Sequence, residues 1–144
     1  MRSLREQSRA TAGVTFDQML ETIRYEGAYP TRERAETVTH AVLAALGRQL
    51  SEDGRAGLAA CLPAEAALTL TAQVRDPGPL TGWGFVKDLA VRTGGTPATA
   101  RWDAGAVLAP VARLAGSGPL DRILAELPSG YALLFGRAEL VQAA

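Results

Sequence analysis

The stretch "VLAALGRQLSEDGRAGLAACLP" at residues 42–63 is spelled again, loosely, as "VLAPVARLAGSGPLDRILAELP" at residues 107–128. The offset is a constant 65 residues: Val42-Leu43 meets Val107-Leu108, Leu46 meets Val111, Leu50 meets Ala115, Leu58 meets Ile123 and Leu62-Pro63 meets Leu127-Pro128. Both copies run on to Ala67-Leu68 and Ala132-Leu133. Self-similarity at a fixed period marks a duplicated supersecondary unit.

Within the first copy the apolar spacing is helical. Val38, Val42, Leu46 and Leu50, with Ala35 and Leu43 beside them, line one face of a long helix that starts at Pro30-Thr31 and runs to about Leu50. Arg32, Glu33, Glu36 and Arg48 fall off that stripe and are expected in solvent. Ser51 caps a third helix, whose first turn carries Glu52 and Asp53, where the helix dipole favours negative charge. Leu58, Cys61 and Leu62 give that helix an apolar side. Pro63 ends it and opens a short fourth helix from Ala64 to about Gln73.

Upstream, Thr15 and Gln18 have the spacing of a capping box, with Val14 and Met19 placed as a hydrophobic staple. Phe16, Met19, Leu20 and Ile23 make one face of that first helix, and Gly27 is expected to end it in the left-handed conformation. The second copy repeats the order. Phe85 and Leu89 echo Phe16 and Leu20, Gly94-Gly95 replaces Gly27, and Thr96-Pro97 opens the long helix. Pro110 inside that helix predicts a kink. Gly116-Ser117-Gly118-Pro119 predicts a break before a third helix at Asp121 to Leu127, and Pro128 predicts the start of a fourth.

No segment alternates apolar and polar residues over a strand's length, so a sheet is not expected. The reading is an all-α protein of two tandem pseudo-repeats, each of about four helices, packed through their long helices into one bundle. Its parts are a mobile arm at 1–14, a first repeat at 15–73, a linker at 74–81 centred on Asp76-Pro77-Gly78-Pro79, a second repeat at 82–137 and a tail at 138–144.

Composition narrows the function classes. The 144 residues carry 15 basic and 15 acidic groups, evenly divided between the halves. A nucleic-acid binder draws much of its affinity from a basic excess, which this chain lacks. One cysteine permits no internal disulfide. No run of 18 apolar residues is present, so no membrane span is expected, and Met1 to Gly13 has no apolar core of the secretory kind. A cytoplasmic location is the expectation. Arginine outnumbers lysine 14 to one, a bias that reads as coding by a GC-rich genome.

The pattern resembles the domain of unknown function 2267 family, small bacterial helical proteins common in actinobacteria. The likeness rests on "FDQMLETI" with its echo "FVKDLAVR", on the long helix "ERAETVTHAVLAALGRQLS", and on "LAACLP" with its echo "LAELP", and it covers residues 15 to about 137. The resemblance implies the helical fold and a bacterial cytoplasm. It implies no catalytic residue.

The polar residues give no convergent constellation. His40 is the only histidine, which removes two-histidine zinc motifs, and it reads as a surface residue paired at i, i+4 with Glu36. Cys61 reads as a small buried hydrophobe. The carboxylates Glu33, Glu36, Glu52, Asp53, Glu65, Asp103, Asp121 and Glu126 are scattered, where acid–base chemistry needs two in opposed environments. Gly94-Gly95-Thr96 reads as a helix cap before it reads as an anion site. No catalytic residue, cofactor or metal site is expected.

The aromatic residues Tyr29, Trp83 and Trp102 are the candidate contact surface, in the groove between the repeats, against the alternative that the tryptophans fill the core there. The expectation is a non-enzymatic protein-interaction or scaffold module whose partner is another protein or a second copy. Two alternatives stand beside it: a small-ligand pocket between the repeats, and nucleic-acid binding through Arg24, Arg32, Arg34, Arg48 and Arg55.

Overall fold

Threonine and serine caps set the helix starts in the computed structural model, which describes residues 13–137. All but residues 13 and 14 of the expected arm, and the whole expected tail, lie outside the described residues. Among the described residues there are eight helices: α1 Phe16–Gly27, α2 Arg32–Gly47, α3 Glu52–Ala59, α4 Ala64–Thr71, α5 Gly82–Thr93, α6 Pro97–Ala115, α7 Ser117–Glu126 and α8 Tyr131–Leu134. No strand occurs among them, and none of these helices is long and apolar enough to cross a membrane.

The Thr15 box forms as its spacing predicts. Gln18 N–H donates to Thr15 Oγ1 at 3.1 Å, and Thr15 N–H donates to Gln18 Oε1 at 2.9 Å. Thr31, Ser51, Thr81 and Thr96 cap α2, α3, α5 and α6 through the same hydroxyl-to-backbone contact. The caps of α2 and α6 stand 65 residues apart, but those of α1 and α5, Thr15 and Thr81, stand 66 apart. Counted from its cap, Phe85 therefore takes the place of Met19 in its own helix, not of Phe16.

The C-terminus of α1 departs from expectation. Ala28, not Gly27, takes the left-handed conformation, with φ 55°. Gly27 is instead the place where the chain folds back on itself, because a Cβ there would overlap the Tyr29 ring.

The second half is also differently punctuated. α6 continues through Pro110, which is buried, to Ala115. Its end is the single residue Gly116, at φ 79° and ψ 169°, and α7 begins at the next residue. Ser117, Gly118 and Pro119 are the first turn of α7, where a proline fills a position whose N–H has no helical acceptor. The expected fourth helix of this half shrinks to the four-residue turn of α8.

The packing crosses between the halves. α1 lies against α2 but also against α6; α5 lies against α6 but also against α2. The long helices α2 and α6 touch, and so do the short ones α3 and α7. Leu20, Ile23, Leu43, Leu46, Leu50, Leu58, Val107, Leu108 and Val111 are buried in one continuous core. Apolar burial contributes about 25 cal/mol per Å2 and is the main force closing this seam.

Polar groups fasten the connector to that core. The buried Gln49 side chain accepts the Leu80 N–H at 2.9 Å, Arg48 carbonyl accepts the Asp76 N–H at 2.8 Å, and Tyr131 O–H donates to the Leu80 carbonyl at 2.9 Å. Arg55 turns back onto the end of α2, donating to the Gly47 and Leu50 carbonyls at 3.0 and 2.7 Å. A cation at a helix C-terminus satisfies free carbonyls and suits the dipole.

Candidate functional site

The turn after α1 brings two of the three singled-out aromatics together. Tyr29 folds under Gly27 and is only 8% exposed. Its hydroxyl donates to Asp103 Oδ1 at 2.6 Å, on α6. The neighbouring residue of α6, Trp102, donates its indole N–H to the Gly27 carbonyl at 2.8 Å. α1 is thereby clasped to the N-terminal part of α6 by two hydrogen bonds between residues more than seventy positions apart in the chain. Arg113, further along α6, adds an ion pair to Glu26.

The clasp sorts the aromatics by role. Tyr29 belongs to the interior. Burial first, then the hydrogen bond to the Asp103 carboxylate and its negative charge, push the Tyr29 phenol far above its usual range. Trp102 is 57% exposed although its N–H is satisfied within the fold. The core-filling alternative for the tryptophans does not hold: Trp83 is 60% exposed as well. Trp83 stands at the start of α5 with the Lys87 ammonium 5.5 Å from its ring centroid, a cation–π placement. Val91, one further helical step along, is also exposed. Tyr29 and Trp102 thus serve one clasp, to which Trp83 adds no hydrogen bond or ring contact.

Beside the start of α1 lies an open groove of about 740 Å3. Phe16, Cys61, Leu62, Glu65, Arg113 and Leu114 are among its walls, so it is shared between the halves. Cys61 is half-buried, its thiol 3.6 Å from the Gly57 carbonyl, so it is less enclosed than a core residue. His40 keeps the i, i+4 pair with Glu36 that its spacing predicts and a side chain 41% exposed, and it also touches α4 and α1. Its Nδ1 lies 2.7 Å from Thr69 Oγ1 on α4, its Nε2 lies 3.6 Å from Glu36, and its ring packs 5.8 Å from that of Phe16. Thr69 Oγ1 also lies 3.2 Å from the Glu65 carbonyl, so the hydroxyl stands between the ring and that carbonyl.

Most of the arginines grouped for nucleic acid are occupied inside the chain. Arg24 pairs with Glu21 at 3.0 Å, Arg32 pairs with Asp17, Arg48 reaches Gln73 and Asp76, and Arg55 holds the end of α2. No group of three or more His, Cys, Asp and Glu side chains placed to hold a metal occurs among the described residues.

A further carboxylate joins the halves beside Asp103. Glu126, at the end of α7, accepts the Ser51 N–H at 2.6 Å and the Ser51 hydroxyl at 2.9 Å. Ser51 Oγ in turn accepts the Gly54 N–H at 3.0 Å. The second half thus caps a helix of the first. In the sequence Gly27 read only as a helix end, and Asp103 and Glu126 only as scattered carboxylates, not as parts of these seams. Each acts on a residue far away in the chain, and periodicity reports only on neighbours.

A family model described as an uncharacterized conserved protein (DUF2267) matches residues 16–134. No curated protein and no solved structure matches the chain.

Proposed function

The chain belongs to the domain of unknown function 2267 family, and from that premise we propose that it is a non-enzymatic helical module that binds another protein or a second copy of itself. The observation that carries this reading is Trp102. A large ring is held outward, 57% exposed, by a hydrogen bond to the backbone of another helix. An aromatic fixed in this way loses little freedom on binding, and exposed tryptophans are frequent anchors at interfaces. Trp83, steadied by Lys87, offers a second such ring.

Light scattering over a rising concentration series tests the self-association form. A dimer that Trp102→Ala weakens by about tenfold or more supports it; a monomer at every concentration removes it. The hetero-partner form is tested by crosslinked capture from the native host with the parent chain and Trp102→Ala side by side. A partner retained equally by both would overturn the role given to Trp102.

The groove at Phe16, Cys61 and Arg113 favours a second reading, a small-ligand site between the halves. Its volume of about 740 Å3 suits a small molecule. A metabolite that binds only the folded chain raises its melting temperature. No shift across a broad screen would count against it.

A further inference from the structure

The seam between the halves maps onto itself when the halves are exchanged. With α1–α4 as the first half and α5–α8 as the second, the pair α1 with α6 becomes α5 with α2, and both pairs are present. The pairs α2 with α6 and α3 with α7 return to themselves. A contact of that form is the single-chain counterpart of an isologous dimer interface. Its fastenings include Trp102 to Gly27, Tyr29 to Asp103, Glu126 to Ser51 and Arg113 to Glu26. None of these depends on whether the two halves share one chain.

The halves are joined by residues 72–81, ten positions between the end of α4 and the start of α5. At its middle, Gly78 has open space where a side chain would stand, and Pro77 and Pro79 flank it. Released from its hydrogen bonds to Arg48, Gln49 and Tyr131, a connector of ten residues taken as a flexible coil reaches roughly 16–19 Å. It holds its two ends at an effective concentration on the order of millimolar. Closure within one chain and closure between two chains therefore form the same contacts, and compete through concentration and connector length.

We propose that two copies of this chain exchange halves, the first half of each closing on the second half of the other. This gives the self-association reading above a definite form and rests on it only in naming a second copy as partner. It uses the interior seam, in which Trp102 takes part through its indole N–H, and makes no use of the exposed Trp83, so a change at Trp83 separates the two.

The test is refolding of the full chain from denaturant at about 1 µM and at about 1 mM, the scale set by the tether, followed by chromatography with light scattering. The expected result is monomer from the dilute sample and a substantial dimer fraction from the concentrated one. That dimer should persist for hours after dilution to about 1 µM, because separation requires the core to open. A variant lacking residues 74–79 removes the slack for closure within one chain. Its dimer fraction at micromolar concentration should exceed the parent's by at least tenfold. Trp83→Ala should leave the dimer intact. Monomer alone from the concentrated refolding overturns the proposal, and does so even where the shortened variant does not fold. A dimer that falls apart within minutes of dilution, or is lost in Trp83→Ala, overturns it too and leaves the surface reading standing.

Discussion

Tyr29 shows how one side chain can make the molecule sensitive to alkali. Its phenol is held in the neutral form by burial and by the Asp103 carboxylate that accepts its hydrogen bond. The unfolded chain's tyrosines ionise near pH ~10. Below that value both states are neutral and the full stabilisation is present. Above it the unfolded chain gives up the proton while the folded chain keeps it, so deprotonation favours unfolding and stability falls as pH rises. Tyr131, raised by burial and then by the Asp88 charge, adds to the same decline. Tyr29→Phe should therefore cost about 1 kcal/mol near pH 8 for the lost hydrogen bond, yet show a shallower loss between pH 9 and 11. Urea midpoints across that range measure both. An alkaline slope equal to the parent's would mean that Tyr29 is not the group responsible.

At the scale of the element, the helices that stood out in the sequence are those whose ends are marked by their own residues. Thr15 with Gln18, Thr31, Ser51 and Thr96-Pro97 each carry a cap within three positions of the hydrogen bond they make. α1, α2, α3 and α6 were legible for that reason. The body of α7 was legible from Asp121 onward, but its start was not: its first turn holds Gly118 and Pro119, which read as a break, because a proline in an uncapped first turn looks the same as a proline in a loop. The candidate surface was legible only in part. Trp83 and Trp102 are exposed, but Tyr29 is enclosed by an aspartate 74 positions away, which no local pattern announces. The cap at α3 is the element-level feature most open to test. Glu126→Ala removes both contacts to Ser51 and should cost about 1–2 kcal/mol. Glu126→Gln should recover part of that through its remaining acceptor. Chemical unfolding of the three chains compares them directly, and equal midpoints would show that the contact contributes nothing to the folded state.

For the whole molecule, the crossed packing predicts that the halves stand or fall together. α1 leans on α6 and α5 leans on α2, so neither half keeps a closed core once the other has opened. Unfolding in urea followed by the emission of Trp83 and Trp102, both carried by the second half, should coincide with unfolding followed by helical circular dichroism, which reports on both halves. Two separate midpoints would show halves that are stable alone. The junction at Gly116 carries a related consequence. One residue, in a backbone conformation that only glycine adopts freely, separates a nineteen-residue helix from the next. The corner behaves as a rigid elbow with no spare length. Loss or gain of even one amino acid there would swing the buried Ile123 away from Leu58 of α3 and the buried Leu120 away from α6 and Phe135. Natural length variation among relatives should accordingly gather in the stretch between α4 and α5 and spare this bend.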